Sequence, residues 1–200
     1  MNAGRKLAIG VAAVAGAVLL FVMFVWLPRW TTRATTAGTV GAAAPAPAPP
    51  AASGRKIKAR LFYVADSGMK LTSVERDVAY GEGAVAQARE IISAQIAPVV
   101  EPLVSAVPPG TALRAVFISE GGEAFVDLSR DVVSSHSGGT LGELLTVYTL
   151  VNALTENLPA ITAVQVLVDG KEVETLSGHI DLRRPLAKNL TWVIEATTET

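Results

Sequence analysis

The chain has no cysteine, and this absence excludes disulfide bonds. It also excludes a lipid-anchored form, because bacterial lipid attachment needs a cysteine at the processed terminus. Only two histidines occur, His136 and His179, and no carboxylate cluster lies near them in the sequence. A net charge of -1 without a basic run is not typical of proteins that bind nucleic acid. We therefore expect no metal site, no cofactor and no nucleic-acid partner.

Charge is also absent from residues 7–27, which form a long apolar run. A helix over this range would be about 30 Å long, which matches the hydrocarbon thickness of a bilayer. A cleaved signal peptide is the alternative, but its apolar core is usually shorter, about 7–15 residues, and ends in small residues. Here the run ends in Trp26, Leu27 and Pro28. We therefore predict an uncleaved transmembrane signal anchor at 7–27, preceded by a short cytoplasmic N-terminus at 1–6.

The next segment, residues 28–55, is rich in Ala, Pro and Thr and has Ala-Pro repeats at its centre. Such a composition buries little apolar surface and favours an extended polyproline II conformation, so it predicts a linker. The basic residues that flank the anchor are nearly balanced and do not decide its orientation. The very short N-terminus favours a C-terminal domain outside the cytoplasm.

Residues 56–186 have the patterns of one folded domain, and residues 187–200 are predicted to be a C-terminal tail. Apolar residues alternate with polar ones in the strand-like runs, and they recur with a helical period in two longer segments. Glycine pairs or Asp-Gly mark the turns at 121–122 and 169–170. The predicted order is strand, strand, helix, strand, strand, helix, strand, strand.

This order predicts an α+β fold, in which a single two-layer domain follows the N-terminal transmembrane helix. One sheet would be covered on one face by the two helices. In the second helix, Thr140 and Glu143 are spaced as a capping box, and Leu144 lies on the predicted apolar stripe. Asn152 is the polar residue near that stripe that we expect to be buried and bonded to backbone.

Five short motifs follow one another in an order that resembles the GerMN domain family of spore germination and sporulation proteins. They include a strand ending in Asp-Leu-Ser, Val-Gln-Val-Leu-Val-Asp-Gly, and Leu-Ser-Gly-His, and they lie at residues 125–129, 139–143, 150–156, 164–170 and 176–179. The resemblance covers roughly residues 58–185. It implies an extracytoplasmic domain of the bacterial envelope that works in assembly.

Catalytic chemistry has one candidate arrangement in the sequence. His179 and Asp181 are two residues apart, so in an extended segment Asp181 could orient the imidazole, and Ser177 or Ser134 could act as a nucleophile. The alternative is that His179 and Asp181 hydrogen-bond the backbone of an irregular segment, and we favour it because a triad is defined by geometry. His136 lies among Ser and Gly and is interpreted as a solvated loop residue. We predict no catalytic, cofactor-binding or metal-binding residues.

Two functions are compatible with these features. The first is a single-pass, membrane-anchored interaction or assembly module, which contacts another envelope protein or further copies of itself outside the cytoplasm. The second is an envelope domain that binds or hydrolyses cell-wall glycan or peptide, with His179 and Asp181 as its polar pair. The anchor, the linker and the lack of a convincing catalytic set favour the first.

We expect the anchor to be retained in the mature protein, because residues 7–27 are long enough to span and lack a small-residue cleavage site. Mass spectrometry of the membrane-extracted protein should find the full-length chain of 20.8 kDa. A mature N-terminus between residues 34 and 52 would contradict this prediction.

Overall fold

The structure is a computed structural model of the chain, and it describes residues 54–194. The predicted anchor at 7–27 and the linker up to residue 53 lie outside the described residues. Within 54–194, no helix combines the length and the apolar character needed to cross a bilayer. The described chain forms a mixed α+β domain with two sheets and three α-helices.

The elements alternate largely as the sequence predicts, with a short helix and a short final strand in addition. The strands are β1 (Lys56–Val64), β2 (Leu71–Ala79), β3 (Leu113–Ile118), β4 (Glu123–Leu128), β5 (Ala163–Val168), β6 (Lys171–Glu172) and β7 (Leu186–Ala187). The helices are α1 (Gly83–Ile96), α2 (Asp131–Ser134) and α3 (Thr140–Asn157), and a 3₁₀ helix follows at Leu190–Trp192.

The prediction of a single sheet is wrong, because the strands form two. β1 and β2 make an antiparallel pair of their own, and the other five strands form a second sheet in the order β3-β4-β5-β6, with β7 also on β5. The predicted alternation of β1 also fails at its centre, where Leu61, Phe62 and Tyr63 are all fully buried. A strand covered on both faces has no reason to alternate.

Side-chain amides close the edge of β1 that β2 leaves free. The Phe62 N–H donates to Gln95 Oε1 at 2.9 Å, and Gln95 Nε2 donates back to the Phe62 carbonyl at 2.7 Å. Asn157 makes the same pair of bonds with the N–H and carbonyl of Arg60, both at 2.8 Å. Each amide thus supplies the donor and the acceptor that another strand would offer, and a buried backbone needs both. This edge therefore ends the first sheet.

The second sheet is mixed. β4 pairs with β3 in antiparallel register and with β5 in parallel register, and α3 provides the long connection that a parallel pair requires. β6 and β7 each pair with a different half of β5 and together occupy one strand position. The Asp-Gly turn is confirmed by positive φ angles of 51° at Asp169 and 75° at Gly170.

Helix α3 is buried around most of its circumference, because it packs against β1 of the first sheet and β5 of the second. Its buried apolar residues extend beyond the predicted stripe: Leu150, which is not on the stripe, is fully buried, whereas Leu144, which is on it, is half-buried. Asn152 is buried as expected, and its amide exchanges two hydrogen bonds with the Asn189 backbone at 2.9 and 3.0 Å. The segment around Asn189, within the predicted tail, therefore packs on the domain as well.

Leu150→Ala should lower the free energy of unfolding by about 3 kcal/mol, since it removes buried methyl groups and leaves a cavity. Leu144→Ala removes the same atoms from a half-buried position, so we expect a loss of only about 1 kcal/mol. Urea denaturation of the two purified variants measures both values. Equal losses would show that the buried and half-buried faces of α3 are wrongly assigned.

Candidate functional site

A buried carboxylate organises the loop that follows β6. Glu143 lies in the first turn of α3 and is fully buried. Its carboxylate accepts hydrogen bonds from the Leu176 N–H at 2.7 Å, the Ser177 hydroxyl at 2.8 Å and the His179 N–H at 2.9 Å. The predicted capping box is therefore wrong: Gly139 is the N-cap, no side chain caps the helix, and Glu143 binds the distant loop at 176–179 instead.

These bonds keep Glu143 ionised. Burial by itself raises the pKa of the carboxyl group, but the Ser177 hydroxyl and the surrounding backbone N–H groups outweigh burial and lower the pKa to about 2. His179 Nδ1 lies 3.2 Å from Glu143 Oε2 and completes the shell of donors. The carboxylate thus has its acceptor capacity filled by the protein, which is typical of a structural anchor.

The proposed catalytic set does not assemble. Ser177 donates its hydroxyl hydrogen to Glu143 and not to the imidazole of His179, so no base is placed to activate it. Asp181 pairs with Arg183 instead of His179: its two oxygens accept from the Arg183 N–H, Nε and Nη2 at 2.8–3.0 Å. The bonds from Arg183 hold the pKa of Asp181 well below its usual range. Ser134 is exposed at the end of α2.

The two histidines occupy different places. His179 and Asp181 both line a shallow cavity of about 210 Å³, and no Phe, Tyr or Trp of the described residues lines it. His136 is half-buried, so its interpretation as a solvated residue is wrong. Its Nδ1 accepts from the Gly138 N–H at 2.9 Å, which places the ring proton of neutral His136 on Nε2, 3.2 Å from Thr146 Oγ1. Burial lowers the pKa of His136.

Two larger cavities adjoin each other beside His136. Their volumes are about 330 and 400 Å³, and they share a wall that includes Ser105, Val107 and Pro108. Among residues 54–194, His136 is the one titratable residue that lines the first cavity, and none lines the second. An occupant would therefore meet apolar groups, hydroxyls and backbone, and no fixed charge.

Three exposed apolar residues are direct chain neighbours of residues that line these cavities. Val100, Met69 and Val104 are 84%, 64% and 55% exposed, and we call these three residues the apolar rim. Their loops meet where Val64, which lines the first cavity, donates its N–H to the Val104 carbonyl at 2.8 Å. Exposed apolar side chains that gather beside a cavity mark an interaction surface, whereas single ones are common on any protein.

Sequence reasoning missed both the Glu143 anchor and the apolar rim. The spacing of Thr140 and Glu143 fits a capping box, so the local sequence predicted the wrong partner for the Glu143 carboxylate. Two residues of the rim, Val100 and Val104, lie in the irregular segment between α1 and β3, and Met69 lies in the turn between β1 and β2. No periodic pattern marks such segments. Within residues 54–194, no group of three His, Cys, Asp or Glu side chains could hold a metal ion.

Comparison with known proteins decides the family. The family model named Germane, described as sporulation and spore germination, matches residues 60–174. The chain belongs to this family. The sequence resemblance to GerMN domains is confirmed, and the matched range includes both long helices and the strands β3, β4 and β5. A search of curated proteins finds no match.

Three solved structures are similar to this chain at low identity. The tandem GerMN domains of the sporulation protein GerM from Bacillus subtilis have a TM-score of 0.49 and 17% identity, over 68% of this chain and 46% of that one. The first GerMN domain of GerM has a TM-score of 0.47 and 16% identity, over 66% and 97%. A Clostridium perfringens protein described as a lipoprotein has a TM-score of 0.48 and 20% identity, over 66% and 88%.

Glu143→Gln should destabilise the domain by about 3 kcal/mol at neutral pH, because an amide cannot accept all the bonds that the buried carboxylate accepts. The pKa of Glu143 is lowered from 4.5 to about 2 in the folded protein, so its contribution is present above about pH 4.5 and is lost as the pH falls towards 2. Urea denaturation at several pH values measures this dependence.

The difference in stability between Glu143→Gln and the unchanged protein should therefore shrink between pH 4.5 and 2. Glu120→Gln, at an exposed position, is the matched control and should follow the unchanged protein at every pH. A constant difference across this range would show that Glu143 does not act through its charge.

Proposed function

We propose that this chain is a membrane-anchored assembly module of the bacterial cell envelope. Its folded domain lies outside the cytoplasm and docks onto another envelope protein through the apolar rim. A role in sporulation or germination is part of the proposal, because it follows the description of the family. The docking function is inferred from the apolar rim and from the uncharged cavities near it.

The chemistry of the rim favours a protein partner with an apolar anchor. Interface centres are depleted in charge and bury a few side chains that fill pockets on the partner. Each of the two cavities is large enough for a side chain. Because the cavities share a wall, a single segment of the partner can fill both. The predicted anchor and linker would hold this surface near the membrane while allowing it to reach a partner.

The alternative function, binding or hydrolysis of cell-wall glycan or peptide, has less support. His179 and Asp181 are both bonded to protein groups, and the shallow cavity beside them offers no aromatic platform for a sugar ring. Ser177 is held by Glu143 and lacks a base. We therefore propose a function in binding and assembly and assign no reaction to the domain.

Site-specific crosslinking in membranes tests the proposal, and the absence of native cysteine makes single-cysteine variants unambiguous. Val100→Cys, carrying a thiol-directed crosslinker, should give one discrete adduct of reproducible mass with a second envelope protein. Adding Val104→Glu should weaken binding by about tenfold or more, because it brings a charge into an apolar contact, and the adduct should fall accordingly.

Val85→Cys is the matched control, since Val85 is also an exposed valine, at 42%, but lies on α1 away from the cavities. It should give no such adduct. Circular dichroism should show that all variants are folded, because each change is at an exposed position. Equal adducts from Val85→Cys and Val100→Cys, or an adduct unaffected by Val104→Glu, would count against docking at the rim.

A further inference from the structure

His136 connects the loop before α3 to the irregular segment that carries two residues of the apolar rim. Its Nδ1 accepts from the Gly138 N–H at 2.9 Å, so the proton of the neutral ring is on Nε2. Nε2 lies 3.2 Å from Thr146 Oγ1, and the Thr146 hydroxyl donates to the Ala106 carbonyl at 2.6 Å. The bond from Gly138 exists only while His136 is neutral, because both nitrogens of a protonated imidazole are donors.

Protonation would bring two donors into contact. Nδ1 of protonated His136 carries a hydrogen towards the Gly138 N–H, and the two nitrogens are 2.9 Å apart. The groups must separate, and the adjacent glycines allow the loop to move. Gly138 and Gly139 both have positive φ angles, 82° and 83°, and no atom of the described chain lies within 4 Å of a Cβ built on either residue. Packing therefore does not oppose a change of backbone conformation at these glycines.

The surroundings of His136 disfavour a positive charge on the ring. Burial lowers the pKa of His136 from its ordinary value of 6.5, and this effect outweighs the Glu143 carboxylate, which raises the pKa, while the charge of His179 lowers it further. The Glu143 oxygens already accept hydrogen bonds from the loop after β6. Asp131 of α2 is bonded to the Ser129 hydroxyl. Within the described chain, the β1–β2 turn and the segment before β3 bring no titratable group to the wall of the first cavity.

The ring of His136 forms part of that wall. It packs over the first turn of α3, where a Cβ at Gly142 would lie 3.7 Å from His136 Cε1, and Leu141 and Leu145 line the cavity beside it. An apolar side chain that fills the cavity requires the wall to be in place and uncharged, because a buried charge without a partner costs free energy. Occupation of the cavity therefore favours the neutral form of His136.

We infer that His136 makes docking at the apolar rim sensitive to pH. Protonation breaks the bond from Gly138, releases the loop at 135–139 and removes the uncharged wall of the first cavity, so only the neutral form of the domain binds the partner. The inference rests on the proposed function, since it assigns a regulation to the same site. A domain outside the cytoplasm meets the pH of its surroundings, so acidification would release the partner.

Nuclear magnetic resonance of the full-length chain in detergent micelles tests the switch without a partner. The chain has only two histidines, so His179→Asn assigns both imidazole signals. The His136 signal should titrate with a midpoint below pH 6.5. The Gly138 amide resonance should shift with the same midpoint, because this group loses its acceptor. A midpoint at or above pH 6.5, or a Gly138 amide that does not respond, would overturn the switch.

Crosslinking from Val100→Cys in membranes tests the effect on docking. A photoactivated crosslinker is attached to the thiol at neutral pH and is then illuminated at each chosen pH. The apparent affinity is proportional to the fraction of the competent form, so it should fall by about tenfold for each pH unit below the His136 midpoint. The adduct should decrease over the same range of pH.

His136→Asn is the variant that isolates the imidazole, because an Asn side-chain oxygen can accept from the N–H two residues further on and does not titrate. With each yield expressed relative to the same variant at neutral pH, the decrease should be absent in His136→Asn and retained in His179→Asn. An adduct that does not decrease in acid, or a decrease that persists in His136→Asn, would overturn the pH control and leave docking intact. The absence of an adduct at every pH would contradict docking itself, and with it this regulation, whatever the Gly138 amide shows.

Discussion

The pairing of the β1 edge with two side-chain amides is the interaction on which the architecture depends. A buried strand edge must satisfy its N–H and carbonyl groups, and a further strand is the usual way to do so. Here Gln95 from α1 and Asn157 from α3 take that place at Phe62 and Arg60. The two helices are consequently held against the first sheet while they also pack on the second, which is why the strands form two sheets around shared helices.

Polar side chains of α3 also bind the backbone of distant parts of the chain. Glu143 binds the segment at 176–179, Asn152 binds Asn189, and Asn157 binds β1. One helix thus ties three distant parts of the chain by side chains that are mostly buried. Removing one partner of such a bond lowers the free energy of unfolding, because the other partner is left buried and unpaired. The helix therefore specifies which loops pack where, in addition to filling the core.

The residues that carry the family resemblance and the surfaces that could bind a partner are largely separate. The Leu-Ser-Gly-His motif forms the loop that Glu143 holds, and the motif in α3 supplies Asn152. The apolar rim lies outside these motifs. A family recognised through its fold-determining contacts can therefore differ among its members in what each one binds.

Sequence alone determined the order of strands and helices, the Asp-Gly turn and the family, because each depends on local periodicity, on turn residues or on short ordered motifs. It also indicated that Asn152 would be buried. Only the tertiary structure decided that Glu143 binds a loop more than thirty residues away and forms no capping box with Thr140, and that amides close the edge of β1. It also decided that Val100, Val104 and Met69 are exposed next to chain segments that line two cavities. These outcomes depend on contacts between residues far apart in the chain, and no spacing along a sequence records which distant groups will meet when the backbone must satisfy its buried hydrogen bonds.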